Sequence, residues 1–244
     1  GRRETPPLTS SIGLPKDKDL LSKIIRNIGR ITLYEEWRSV RNALSSEWNK
    51  FKREPDLIPP LIVQRLLISG EDHRHARHSG YDLYAICRAI WRRATRHSRE
   101  GASTIEQQIV RVITNRYENT ILRKAREIML ATLVAEYFPK TILPIVYLRI
   151  GYFGWHMNGY SQACKRIGIQ NEKLTIQKAA GLVARLKYPE PKVAPKLRIH
   201  QIERRTRHLL KLYQMHLNDG TYEYDNSTPF RSRFQTKRFV GSPS

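Results

Sequence analysis

Ile58-Pro59-Pro60-Leu61-Ile62-Val63-Gln64-Arg65-Leu66-Leu67-Ile68-Ser69-Gly70-Glu71-Asp72-His73-Arg74-His75 is the stretch on which the fold turns. Pro59-Pro60 suits a helix start, because the ring presets φ and the missing N–H falls where a helix has no partner for it. The run from Leu61 to Ile68, interrupted by Gln64 and Arg65, reads as a buried helix, since a bilayer span needs about 20 apolar residues. Gly70 commonly closes a helix, which would place Glu71 on a loop at the helix end, able to reach into a cleft.

The pattern continues in both directions as helices punctuated by Pro and Gly, with almost no period-two alternation, so the expected fold class is mostly α. Upstream, Leu20, Leu21, Ile24, Ile25 and Ile28 recur at helical spacing, and Leu33, Trp37, Val40, Leu44, Trp48 and Phe51 form a second stripe. Two readings stay open for this pair: helices packed on the main domain, or a basic, Trp-bearing segment at a membrane surface. Downstream, Ser103-Thr104-Ile105-Glu106 fits a capping box, with the Ser hydroxyl at the cap and Glu106 in a structural role. A helix beginning near Thr120 is expected to bury Ile121, Ala125, Ile128 and Thr132, with Glu127 off that stripe. A last amphipathic helix spans Leu197 to Tyr213. The expected organisation is a polar lead-in and amphipathic segment over residues 1–52, a main domain over 53–215 and a basic tail over 216–244.

With 244 residues the chain can bury one good core. Its 44 Lys+Arg against 22 Asp+Glu give a formal net charge of +22, which calls for an anionic partner. Nucleic acid, an anionic membrane and a pyrophosphate-bearing lipid all meet that description. Cys87 and Cys164 lack metal-site spacing and read as two buried thiols.

Two acids keep unusual company. Glu71 lies in the His- and Arg-rich stretch quoted above, and Glu127 follows Arg123-Lys124-Ala125-Arg126. Between them runs the small and polar segment Glu100-Gly101-Ala102-Ser103-Thr104-Ile105-Glu106-Gln107-Gln108. A pair of acids with a clamp of fixed positive charge is what glycosyl transfer from a phosphate-linked donor needs: one group to take a proton, others to carry charge on the departing phosphate. Taken singly, Glu71-Asp72 is an exposed pair at a helix end, and Glu127 a solvated i, i+4 partner of Arg123 worth a few tenths of a kcal/mol. His73, His75 and His78 beside Glu71 and Asp72 suggest a metal site only weakly, the spacing lacking a distant fourth partner. Tyr147, Tyr152, Phe153 and Trp155 fit either core packing or a sugar-lined cleft.

Read in order, Ile58-Pro59-Pro60, Glu71-Asp72 with His78 and Gly80, Arg88-Ala89, Gly101-Ala102-Ser103-Thr104-Ile105 with Gln107-Gln108, Arg123-Lys124 with Glu127, and then Tyr147-Leu148, Gly154, Gly159 and Pro189 form one ordered set. The set resembles the glycosyltransferase domain of peptidoglycan polymerases, over roughly residues 53 to 215. These are the monofunctional transglycosylases and the corresponding half of bifunctional penicillin-binding proteins. The resemblance implies a lysozyme-like, mostly α domain that polymerises a lipid-linked disaccharide-peptide (lipid II) by inverting transfer with release of polyprenyl pyrophosphate. Glu71 would be the general base, its proton uptake favoured by partial burial and by Asp72. Glu127 would orient cations, or a divalent ion, around the leaving group. Asp72, His78, Arg88, Ser103, Thr104, Gln107, Gln108, Arg111, Arg123, Lys124 and Arg126 are the implied substrate contacts. No cofactor is obligatory under this resemblance, although Mg²⁺ or Mn²⁺ is allowed. The implied partners are the lipid-linked precursor, the growing glycan strand, an anionic membrane surface and other cell-wall synthesis proteins, with no nucleic acid. The implied location is the bacterial cytoplasmic membrane, with the domain on its periplasmic or outer face. No transpeptidase segment follows the last helix in this sequence, so a monofunctional enzyme is expected.

The chain departs from the family pattern at several positions. His75 stands where Phe is usual, Glu106 where Thr is usual, Arg111-Val112 where Lys-Asn is usual, Asn119 where Arg is usual, and Ile145 and Arg149 where Glu and Asn are usual. These departures support an alternative, a catalytically weak relative that serves as a binding or scaffold protein in cell-wall assembly. A basic helical nucleic-acid binder would explain the charge and leave the two acid motifs unexplained.

Overall fold

The computed structural model describes residues 16–96, 101–169 and 174–222. In chain order the helices are α1 (Lys16–Thr32), α2 (Tyr34–Arg53), α3 (Leu61–Glu71), α4 (Leu83–Arg96), α5 (Ile105–Thr114), α6 (Ile121–Tyr137), α7 (Leu143–Ile150), α8 (Tyr160–Ile167), α9 (Ile176–Lys187) and α10 (Lys196–Asn218). A two-stranded antiparallel hairpin, β1 (Tyr152–Gly154) and β2 (Met157–Asn158), is the one sheet among the described residues. The mostly α, lysozyme-like fold class expected from sequence is the one observed. α10 packs along α9 and α3, α5 lies between α6 and α7, and α1 rests on α6.

One apolar core runs through these elements. It includes Trp37, Val40, Leu44 and Phe51 of α2 together with Leu66, Ile105, Leu133, Leu148 and Leu182. The core therefore does not part at residue 52, because the α2 stripe packs into the same interior as α5, α6 and α7. α1 behaves differently. Its packed side carries Ser22 and Gly29, and its Arg26 and Arg30 reach Glu136 of α6. Leu20, Leu21, Ile24, Ile28 and Ile31 face solvent.

Other local expectations shift for identifiable reasons. α3 ends on Glu71 rather than at Gly70. A Cβ at Gly70 would lie 2.3 Å from Leu209 Cδ2 and 3.0 Å from Arg205 Nη2, so this glycine serves the close approach of α10 instead of closing the helix. The cap of α5 is Thr104, whose hydroxyl accepts from Gln107 N at 3.3 Å. Ser103 faces other partners, and Glu106 is fully buried in an ion pair with Lys140. α6 starts just after Thr120 as expected, with Thr120 as its cap, yet only part of the expected stripe is buried. Thr132 is buried and Ile128 half-buried, whereas Ile121 is 90% exposed and Ala125 is exposed, and Glu127, Leu130, Ala131 and Val134 point inward. Both cysteines are free, Cys164 buried and Cys87 exposed. α10 continues to Asn218, and Tyr222 is buried with its hydroxyl bonded to Ser69 and to the Arg65 carbonyl. The expected tail is thus docked as far as Tyr222, and the expectations for residues 1–15 and 223–244 lie outside the described residues.

Candidate active site

α5 is the bridge of the site. Gln108 and Arg111, three residues apart on one helical face, each hold one of the two acids. Gln108 Nε2 donates to Glu71 Oε2 at 3.1 Å. Arg111 forks onto Glu127, Nε to Oε2 at 3.0 Å and Nη2 to Oε1 at 3.0 Å.

Glu71 has one further partner, Arg205 of α10, whose Nη2 donates to Oε1 at 2.9 Å and to the Gly70 carbonyl at 2.7 Å. The Glu71 side chain stays 17% exposed, so the carboxylate keeps some access to solvent. Asp72 was expected to favour proton uptake by Glu71, and it turns away instead. It accepts from His78 Nε2 at 2.9 and 3.0 Å and from Ile105 N at 3.1 Å, and lies 3.3 Å from His75 Nδ1.

Glu127 is the more enclosed acid, its side chain 3% exposed. Besides the Arg111 fork it accepts from Lys124 Nζ at 2.7 Å and from Arg123 Nη1. Burial alone would raise its pKa; the bonds from Arg111 and Lys124 outweigh that and hold the carboxyl below the usual carboxylate range. Burial lowers the Lys124 ammonium, with Glu127 opposing the shift. Lys124 also reaches Ser103 Oγ at 3.0 Å and Gln107 Oε1. Arg111 Nη2 comes within 3.4 Å of the same Ser103 hydroxyl. The solvated i, i+4 pair considered from sequence is therefore a buried cluster of one acid and three cations. Those cations occupy both oxygens of Glu127, and this arrangement does not fit a Mg²⁺ or Mn²⁺ ion on that carboxylate.

All the expected contacts but Arg126 and Arg88 fall into two groups. Ser103, Gln107, Gln108, Arg111, Arg123 and Lys124 gather around the acids. Asp72, His78 and Thr104 are buried behind them and position the loop: Thr104 Oγ1 and Gln107 Nε2 donate to the Gly80 carbonyl at 2.8 and 3.2 Å. Gly80 is irreplaceable there, with φ of 93° and the Ala131 carbonyl oxygen 2.3 Å from where a Cβ would stand. Arg126 stands 3.5 Å from Glu36 of α2, which also holds Arg116 at 3.1 Å, and lines one small cavity with Arg111, Arg123 and Glu127 without an ion pair to Glu127. Arg88 lies over the Tyr84 ring, 5.6 Å from its centroid. Of the aromatic group, Phe153 is core, Tyr152 is 51% exposed, and Trp155 lies between Arg166 and Lys192.

Sequence reading missed Arg205 as a member of the site and left Tyr147 open between core packing and a sugar-lined cleft. Arg205 shares the buried face of α10 with Ile202 and Leu209, and a lone arginine inside an apolar stripe is the signal that marks it. Tyr147 is buried, and its phenol is pushed up first by that burial and then by the Glu71 charge, with Arg111 opposing, so it lies within the field of both halves of the site.

Residues 38–215 match the Transglycosylase family. The chain is 31% identical over 156 residues to penicillin-binding protein 1A of Escherichia coli (strain K12), covering 62% of this chain and 18% of that protein. It is 33% identical over 141 residues to penicillin-binding protein 1F of Bacillus subtilis (strain 168), covering 56% of this chain and 20% of that protein. To the biosynthetic peptidoglycan transglycosylase of Pseudomonas aeruginosa it is 29% identical over 147 residues, covering 60% of this chain and 61% of the relative. The matched stretch thus spans less than two thirds of each of these relatives. With a family match over most of its length, the chain belongs to the Transglycosylase family.

Proposed function

We propose that this chain is a peptidoglycan glycosyltransferase that extends glycan strands from lipid-linked disaccharide-peptide, releasing polyprenyl pyrophosphate. The observation that carries the reading is the division of labour across α5, with a part-exposed carboxylate on Gln108 and a buried carboxylate organising three cations through Arg111. Glu71, part-exposed, takes the proton from the acceptor sugar hydroxyl as that oxygen attacks the anomeric carbon of the donor. Arg111, Arg123 and Lys124, fixed in place by Glu127, receive the charge that builds on the leaving pyrophosphate. Arg205 and Gln108 hold Glu71 in one orientation. No metal enters these steps.

The departures from the family pattern do not strip the two acids. Ile145 is buried in the core, Arg149 pairs with Glu47 at 3.1 Å, and Asn119 is exposed on the loop before α6. This favours the enzyme over the scaffold reading. Purified wild-type protein with lipid-linked precursor is expected to yield polymer, and Glu71→Gln to lower turnover by about 100-fold or more with its circular dichroism unchanged. Wild-type turnover in that variant would remove Glu71 as base; absence of polymer from wild type would leave the scaffold reading.

The same reading places the domain against the outer face of the bacterial cytoplasmic membrane. No single helix among the described residues is long and apolar enough to cross a bilayer. Support comes from α1, which buries Ser22 and Gly29 while exposing a stripe of Leu and Ile, the reverse of an ordinary packed helix. Replacing Ile24 and Ile28 together by Glu should cut binding to anionic vesicles at least about tenfold. Equal binding would move the membrane contact off α1.

A further inference from the structure

Behind the Glu71 loop lies a second group of side chains that glycosyl transfer does not use. His75 Nδ1 stands 3.3 Å from Asp72 Oδ2 and 3.7 Å from Glu106 Oε1, and His78 Nε2 stands 2.9 Å from Asp72 Oδ1. One donor atom from each of these four residues lies within 4.8 Å of the other three. An ion bound tetrahedrally through nitrogen and oxygen at roughly 2.0–2.1 Å sets its ligand atoms about 3.3 Å apart, inside the range seen here. We propose that Asp72, His75 and Glu106 form a binding site for a divalent first-row metal ion, zinc above all, with His78 orienting the Asp72 carboxylate.

Each ligand is already turned for that task. His75 Nε2 faces the Lys140 carbonyl at 2.9 Å and gives it a hydrogen bond, which directs Nδ1 toward the two carboxylates, as the outer partner of a metal-bound imidazole does. The Ile105 N–H fixes Asp72 Oδ2 at 3.1 Å. His78 Nδ1 accepts the Gly80 N–H at 3.2 Å, so its Nε2 carries the hydrogen given to Asp72, and His78 acts as the orienting group. Glu106 supplies a second, independent observation. Its side chain is 0% exposed, one oxygen faces His75, and Oε2 has no hydrogen-bond donor. A buried carboxylate oxygen left without a donor is costly, and chelation of an ion by both oxygens removes that cost. The donor set holds nitrogen and oxygen and no sulfur, which suits Zn²⁺, Co²⁺ or Mn²⁺.

Lys140 is the competing cation. Its ammonium lies against Glu106 Oε1 and 3.3 Å from His78 Nδ1. The side chain is 22% exposed on a flexible four-carbon stem, so the ammonium can withdraw into water as a divalent ion enters and the two carboxylates stay neutralised. Glu127 differs in that three cations fill both its oxygens. His75 and Glu106 approach each other to 3.7 Å although 31 positions separate them in sequence.

The test needs no activity. The full chain, stripped with EDTA, is titrated with Co²⁺ and with Zn²⁺. Visible d–d absorption saturating at one equivalent of Co²⁺, and a Tm raised by Zn²⁺, are expected. His75→Phe and Glu106→Thr, which each remove a ligand, should each weaken Co²⁺ binding at least about tenfold. Lys140→Met should tighten it by a similar factor, because the competing charge is gone. Absence of the absorption bands, or bands unaltered in both His75→Phe and Glu106→Thr, would overturn the proposal. Should those two variants lose their circular dichroism, Lys140→Met decides: tighter binding upholds the site, and unchanged binding sinks it.

Discussion

Glu71 and Glu127 answer opposite demands with the same side chain. Glu71 closes α3 with two neutral or singly charged donors and an open side, whereas Glu127 sits mid-site on α6 with three cations and almost no exposure. A group that must exchange a proton needs access and few competing partners. A group that must fix positive charge needs the reverse, since an ion cluster out of water holds its geometry only when every charge is answered. The two environments therefore differ in the direction that the proposed roles of base and charge organiser require.

The largest effect that would break this contrast concerns stability. Glu127→Gln leaves Arg111, Arg123 and Lys124 facing one another without their common anion, and should cost about 2 kcal/mol, allowing for the partial exposure of Arg111 and Lys124. Glu71→Gln, with Arg205 still bonded to the Gly70 carbonyl, should cost well under about 1 kcal/mol. Urea unfolding of both variants checks this. Equal losses would mean that Glu127 is no more structural than Glu71.

Acid titration sharpens the same difference. Arg111 and Lys124 hold the Glu127 carboxyl below its ordinary value of 4.5 against the opposing effect of burial. A carboxyl depressed in the folded state contributes stability that is complete above the unfolded value and is lost as pH falls through the folded one. The stability gap between wild type and Glu127→Gln should therefore be full at pH 6 to 7 and narrow below about 4.5, by at most about 1.4 kcal/mol per pH unit for one proton. Asp72 and Glu106 are also depressed and erode both proteins alike, so the gap rather than either curve carries the information. A gap constant down to pH 3 would contradict the arrangement.

The helices were legible because each repeats its apolar residues locally: the α2 stripe and the α3 run each lie within about 20 residues. The mostly α class follows from that alone. The inward face of α6 was not legible, because Glu127 is buried by partners on α5 and on its own helix and an apolar count misses a charge that is paid for by other charges. Arg205 was hidden for a related reason, since 134 residues of sequence separate it from Glu71 and no periodicity spans that distance. The Asp72–His75–Glu106 group was half visible, with the histidines evident and the distant carboxylate supplied only when α5 folds back over the loop.

The smallest effect separates cations that look equivalent in Arg123-Lys124-Ala125-Arg126. Lys124 points at Glu127, Ser103 and Gln107, while Arg126, two positions on, is turned by the helix toward Glu36. If the pyrophosphate is received by the cluster that Glu127 organises, Lys124→Ala should weaken a short-chain lipid-linked substrate about tenfold, which is about 1.4 kcal/mol of charge-assisted contact. Arg126→Ala should leave that affinity within about twofold and remove only a part-exposed ion pair worth less than about 1 kcal/mol. Both variants keep a cationic surface of nearly the same net charge, so a general attraction of the basic protein for an anionic lipid would lower the two affinities equally. Titration of both with the same substrate distinguishes these cases: a tenfold split supports the Glu127 cluster as the pyrophosphate site, and equal losses would reduce it to a share in the overall charge.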